Sequence, residues 1–310
     1  MRFYYSKLAS VILVIYLIFC YQTADFEVYK QNKGIDRWLT PRIISYRDQA
    51  REAMRERIEN LYAYPGNQLM LGLITGDDSK IPNDLKNQFR QTGTSHLTAV
   101  SGFNMSLILL LFVGQVKKLY LNRKIIYLLS TFVLLFYGII VEFGSSVARA
   151  VLMSWLIIYA CAKGRAVNSA LLILSTGAFL TTVFPGSIRY DIGFQLSFAA
   201  TIGLMFVASN ISDWLEDKKV SSKVLLEYII PSVVAYIFTL PIIYLNFNQL
   251  TLITPVVNII LAPLVPFTTV LGMIILGLDL LYHPLAQIIG YSEDVLLSII
   301  IWIVQFFAHL

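Results

Sequence analysis

Within long apolar runs, this sequence places a short set of side chains that could carry chemistry. The stretch "SHLTAVSGFNMS" (95–106) gathers His96, Ser101, Gly102 and Asn104 at the start of one run. Glu142 and Arg149 flank "FGSSVA", Asp191 and Gln195 open "YDIGFQLSF", and Asn258 lies in a proline-rich run. An ionisable residue at the centre of a membrane helix costs about 2.5–3.5 kcal/mol on insertion scales, so such residues face a bundle interior or a wet cavity. Each also has a plain structural use. Glu142 and Arg149 could pair and orient two helices, and Asp191 could serve a helix start. Gln195 and Asn258 could hydrogen-bond between helices, and Ser101 with Gly102 could let two helices approach closely.

Catalysis is not expected. His96 and Ser101 are five residues apart, which on a helix is about 500°, or about 140° around the axis, so they do not share a face. A Ser/His pair needs hydrogen-bond reach and an orienting partner, and the sequence offers neither. It has no paired carboxylates for acid–base work, no Gly-rich nucleotide loop and no metal-ligand spacing. No cofactor, metal or catalytic residue is therefore expected. Cys20 and Cys161 lie far apart, in or beside apolar segments, and behave as small hydrophobes.

The elements that must position these residues are apolar helices. Of 310 residues, 57% are hydrophobic and 14% charged, against about 25% charged in soluble domains. Nearly half of the charged residues lie within residues 23–95, and several of the remaining blocks reach the ~20 residues that cross a bilayer core. The expected fold is all-α: a polytopic transmembrane bundle with about eight to ten membrane segments. Hydropathy places spans near 97–113, 125–142, 146–162, 168–184, 192–209, 224–245 and 288–308. The run 250–282 is too long for one upright span and holds Pro255, Asn258, Pro263, Pro266 and Gly272. It is expected to form a broken or re-entrant pair beside a polar pathway.

Three regions follow in order. Residues 1–22, basic at Arg2 and Lys7 and then apolar, are expected to be an uncleaved signal anchor. Residues 23–95 are expected to be an extracytoplasmic amphipathic helical linker. In "PRIISYRDQAREAMRERIENLY" (41–62), Ile43, Arg47, Ala50, Met54, Ile58 and Leu61 recur at helical intervals and Pro41 suits a first helical position. Its charges nearly balance, which does not suggest a nucleic-acid-binding face. "GDDSKIPNDLKNQFRQTG" (76–93) then reads as a turn, a short helix from Pro82 and a stop at Gly93. Residues 96–310 are expected to be the polytopic domain. The loops 114–124, 163–167 and 210–223 are basic, while those between them carry only Arg189. By the positive-inside rule the N-terminus is cytoplasmic and 23–95 lies outside. The net charge of +5 is explained largely by these orientation signals.

Four stretches taken together resemble the ComEC-type competence family. "FRQTGTSHLTAVSGFNMSLI" resembles its hallmark, and "GSSVARAVLMSWLIIYACAKGRAVNSALLI" its second signature. "FPGSIRYDIGFQLSFAATIGL" resembles its third, and "LPIIYLNFNQLTLITPVVNIILAPLVPF" its fourth. The resemblance implies a multi-pass channel in the bacterial cytoplasmic (inner) membrane, through which one DNA strand enters the cytoplasm during natural transformation. It implies single-stranded DNA, the lipid bilayer, a separate nuclease and DNA-receptor proteins as partners, and allows a homo-oligomer. The family's motif residues carry over to His96, Ser101, Gly102, Arg149, Gly193, Phe194, Gln195, Ser197, Asn258 and Pro263. Asn104 stands where many members have a second His. The OB-fold and metallo-β-lactamase-like domains of many members are expected to be absent. A transporter for another substrate, or a non-conducting scaffold subunit of an uptake complex, are the alternative functions.

Overall fold

The computed structural model describes residues 2–32, 39–98, 112–114, 122–142, 145–164, 168–218, 222, 224–247 and 251–309. Every regular element among them is helical and none is a strand. In chain order the helices are α1 (Arg2–Gln22), α2 (Phe26–Asn32), α3 (Pro41–Leu61), α4 (Gly66–Thr75) and α5 (Asn83–Gln91). Then come α6 (Arg123–Ile140), α7 (Ser145–Ala162), α8 (Ser169–Val183), the single turn α9 (Ser187–Tyr190) and α10 (Ile192–Asp217). The chain closes with α11 (Ile230–Phe247), α12 (Thr254–Asp279) and α13 (His283–Ala308). The helices α10, α12 and α13 are each 26 residues long and apolar enough to cross a membrane, and five shorter apolar helices accompany them. The molecule is an all-α polytopic membrane protein. The span expected at 97–113 lies almost wholly outside the described residues.

The run 250–282 does not break or double back as expected. It forms the single helix α12, with Pro263 and Pro266 inside it and Pro255 in its first turn. A proline within a helix costs about 3 kcal/mol. Ending the helix in lipid would instead leave several backbone groups without partners, each at a similar cost. One continuous helix is therefore cheaper than two exposed ends. The irregular backbone lies elsewhere: a π-helical stretch interrupts α10 at Gly203–Ala208, and another, Leu225–Ile229, leads into α11.

Packing divides the chain into two compact units. The first contains Met1–Trp38, Leu109–Gly138 and Phe143–Leu250; the second contains Leu39–Ile108, Ile139–Glu142 and Thr251–Leu310. This grouping differs from the sequence-order division at residues 22 and 95, because residues 39–98 pack with the last two helices. The cause is α4, "GNQLMLGLIT". Each of its ten residues is buried, in a core that also holds Ile58 and Leu61 of α3, Phe89 of α5, Leu261 and Ile275 of α12, and Leu297 and Ile300 of α13. In the first unit α1 packs on α8, where the Tyr16 hydroxyl meets Thr182 Oγ1 at 2.7 Å.

The second unit is fastened at two points. At the α12–α13 corner, the Asp279 carboxylate accepts from Arg57 Nη1 on one oxygen and meets His283 Nδ1 on the other, both at 2.5 Å. Within the core, α4 passes so close to the chain after α5 that a Cβ on Gly72 would lie 2.2 Å from the Thr98 carbonyl oxygen. Both contacts give stability predictions for the detergent-solubilised protein, read as thermal midpoints. Gly72→Ala is expected to destabilise by about 1–3 kcal/mol through overpacking, while Gly277→Ala, whose Cβ meets nothing within 4 Å, is expected not to destabilise. Asp279→Asn is expected to cost about 1–2 kcal/mol, the smaller end of a charge-assisted hydrogen bond because Arg57 is partly exposed. A midpoint unchanged by Gly72→Ala or Asp279→Asn would contradict the packing described.

Candidate functional site

The sequence-predicted residues divide between the two units. In the second, His96 lies in a 3₁₀ turn, Ser95–Leu97, which α5 introduces through Gly93. Gly93 has φ +69°, and a Cβ there would sit 2.0 Å from Thr254 Oγ1 at the start of α12. Only glycine serves both the backbone angle and the approach. Threonines tie the turn together: Thr92 Oγ1 and Thr94 Oγ1 lie 2.7 Å apart, and Thr98 Oγ1 donates to the Ser95 carbonyl at 2.8 Å. His96 is exposed, with its ring bonded to the Gly93 backbone. Asn258 lies one turn beyond Thr254 on α12. Its Oδ1 and the Thr254 hydroxyl are buried with no hydrogen-bond partner among the described residues. Ser101, Gly102 and Asn104 lie outside the described residues.

Glu142 does not pair with Arg149. It follows α6 with a positive φ of 50° and binds the basic face of α3. Its Oε1 contacts Arg51 Nη1 and lies 3.9 Å from Arg47 Nη2. The amphipathic helix, rich in arginine, supplies these cations at i and i+4, a spacing that sets both on one face.

In the first unit, Asp191 caps α10. It accepts the Phe194 N–H at 3.0 Å, which supports the helix-start use. It also accepts from the Tyr29 hydroxyl; burial first, and the Asp191 charge second, push Tyr29 up to about 12. Gln195 spends its side-chain N–H groups on the Ile188 carbonyl at 3.2 Å and the Arg189 carbonyl at 2.8 Å. It therefore locks the turn before α10 onto that helix, and does not bond between distant helices. Arg149 on α7 is different. Its Nη1 donates to Thr201 Oγ1 on α10 at 2.9 Å, and Thr201 in turn donates to the Ser197 carbonyl at 2.7 Å. Arg149 Nε is buried with no partner among the described residues, and none of the ion pairs found among them includes Arg149.

Hydropathy passes over the acids of α13. Glu293 and Asp294 sit inside the run expected to span at 288–308. The Tyr62 hydroxyl donates to Glu293 Oε2 at 2.5 Å, and the Ala63 N–H donates to Asp294 at 3.1 Å. Burial first, and the Glu293 charge second, raise the Tyr62 phenol. Two adjacent carboxylates in "GYSEDVLLS" were the available signal, and an apolar average hides them. Thr201, which holds Arg149, gives no signal of its own in sequence.

Residues 73–310 match the competence protein family. Over 215 residues, 68% of this chain, the sequence is 26% identical to ComE operon protein 3 of Bacillus subtilis (strain 168), covering 27% of that protein. Over 57 residues, 18% of this chain, it is 40% identical to the uncharacterized protein YcaI of Escherichia coli (strain K12), covering 8% of it. The chain thus spans about a quarter of the first relative's length and less than a tenth of the second's. No solved structure matches. The family match takes in Arg149, the capped start of α10, Asn258 and the acids of α13, and it covers well over half of the chain, which therefore belongs to the competence protein family.

Proposed function

We propose that this chain forms, or helps to form, a conduit for single-stranded DNA across the bacterial cytoplasmic membrane, serving DNA uptake in natural transformation. In this role it is a multi-pass protein with a cytoplasmic N-terminus, as the charge of its short loops indicates. Arg149 carries the proposal. Its guanidinium is partly buried within an apolar helix and is held by the Thr201 hydroxyl. A guanidinium bound to a carboxylate has little left for an anion. One held by a neutral hydroxyl keeps its charge and its remaining donors for a phosphate. Conduction needs sites that attract the passing species without retaining it. An isolated arginine meets that need for a strand with one charge per nucleotide, where a dense basic groove would hold it.

Deleting the gene is expected to abolish transformation while labelled DNA still binds at the cell surface. Complementation with Arg149→Ala is expected to restore membrane-inserted protein but to leave uptake down by about tenfold or more, equivalent to ~1.4 kcal/mol or more. Arg149→Lys, which keeps the charge and loses the fork geometry, is expected to recover part of the uptake. Unchanged transformation in the deletion strain, or full uptake with Arg149→Ala, would overturn the proposal. Intact DNA uptake with loss of a small solute's import would point to a transporter.

A further inference from the structure

The second unit buries an acid that the proposed conduit does not use. Glu293 lies within the apolar 26-residue helix α13 and is 0% exposed. Its Oε2 accepts from Tyr62, and its Oε1 is buried with no hydrogen-bond partner among the described residues. Among the described residues, the elements packed against α13 bring it no cation. From α3 comes Tyr62, while Arg57 is taken by Asp279 at the helix corner. Helix α4 packs on α13 at Leu297 through Gly66 and carries only neutral polar groups, Asn67 and Gln68. Helix α12 approaches with the Gly272 backbone. Helix α5 buries Leu85 and Phe89, turns Asp84 and Arg90 to the surface, and sends Lys86 to the Ser79 carbonyl. On α13 itself the adjacent ionisable group is Asp294, of like charge and bonded to the Ala63 N–H.

A carboxylate ion in this place would be a buried charge with the Tyr62 hydroxyl and the Gly272 backbone beside it and, among the described residues, no counter-ion. That is the costliest state of a buried acid. The neutral acid removes the charge. We propose that Glu293 is a proton-binding site whose occupancy is linked to the docking of residues 61–75 on α13. The acid holds its proton while Tyr62 and α4 are docked. When they separate and water enters, the O–H bond breaks, its electron pair stays on the carboxylate and the proton passes to water. An ionisable group buried in a membrane helix commonly marks a proton path, and here the partner that would sense it, Tyr62, is anchored to a different element. The inference holds whatever the protein conducts.

The test uses the full chain in lipid nanodiscs. Infrared spectra at neutral pH are expected to show a protonated-carboxyl stretch that Glu293→Gln removes and Tyr62→Phe shifts, because the phenol is its hydrogen-bond donor. The second measurement is the thermal midpoint against pH. In the unfolded chain a glutamate releases its proton near pH ~4.3. Above that value the unfolded state has lost a proton that the docked state keeps, so unfolding gains as pH rises. Between about pH 5 and about pH 8 the wild type is expected to lose a few degrees relative to Glu293→Gln, which has no such proton to lose. A merely structural contact would give parallel curves. Parallel curves, a band absent from the wild type, or a band that survives Glu293→Gln would overturn the proposal. If Glu293→Gln does not fold, the Tyr62→Phe spectrum decides, and an unshifted band overturns it.

Discussion

The second unit depends on the close burial of α4. A ten-residue helix is marginal in water by itself, so its existence rests on what surrounds it. Here all ten residues are buried, and the helix fits only because its neighbours leave room. Gly72 lets it approach the Thr98 carbonyl, and Gly272 on α12 accepts the Met70 side chain. Burying such a helix also buries its polar ends. Asp294 lies beside Gly66 at its N-terminus, where a negative charge is favoured. The acids of α13 and the corner formed by Arg57, Asp279 and His283 then fix α3 and α4 to the final hairpin. The hallmark turn is held indirectly by the same packing, through Gly72 against Thr98.

The first unit solves a different problem. Here α1, α7, α8, α10 and α11 are apolar on most sides, so packing alone specifies their registry weakly. Polar contacts supply what is missing, each over a short reach. Asp191 sets the start of α10, Gln195 fixes the turn before it, and Arg149 with Thr201 aligns α7 on it. Thr201 donates to a carbonyl of its own helix, so the hydroxyl that receives Arg149 is already oriented. The π-helical stretch at Gly203–Ala208 begins just beyond this point. Such insertions are frequent at functional positions, and this one follows within two residues of the arginine's partner.

Much of this architecture was legible in the residues. Helix positions followed hydropathy because, in lipid, every backbone group must bond within its own segment. The start of α3 at Pro41 and the stop near Gly93 followed from local backbone chemistry. What could not be read was partnership. Glu142 and Arg149 are seven residues apart and of opposite charge, yet Glu142 went to Arg51, which lies about ninety residues earlier in the chain. The burial of α4 was hidden because its neighbours in sequence are polar, and a window average assigns such a segment to its surroundings. Proline counts misled at 250–282, since they report the cost of a kink and not the larger cost of ending a helix in lipid.

A polar residue in an apolar helix is therefore a poor guide to function until its hydrogen-bonding capacity is accounted for. Asp191 and Gln195 looked as suggestive as Arg149 in sequence. Once folded, Asp191 takes the Phe194 N–H and the Tyr29 hydroxyl, Gln195 bonds the carbonyls of the turn before α10, and Glu142 is engaged by arginine. Arg149, Asn258 and Glu293 differ because each keeps a buried nitrogen or oxygen that the described structure does not satisfy. Such a group costs about 1–3 kcal/mol in a folded state, a sizeable fraction of a typical stability. In an apolar bundle the simplest way to avoid that cost would be a leucine. At two of these side chains the unmet group fits the partner proposed above, one that comes and goes: a phosphate at Arg149, a proton at Glu293.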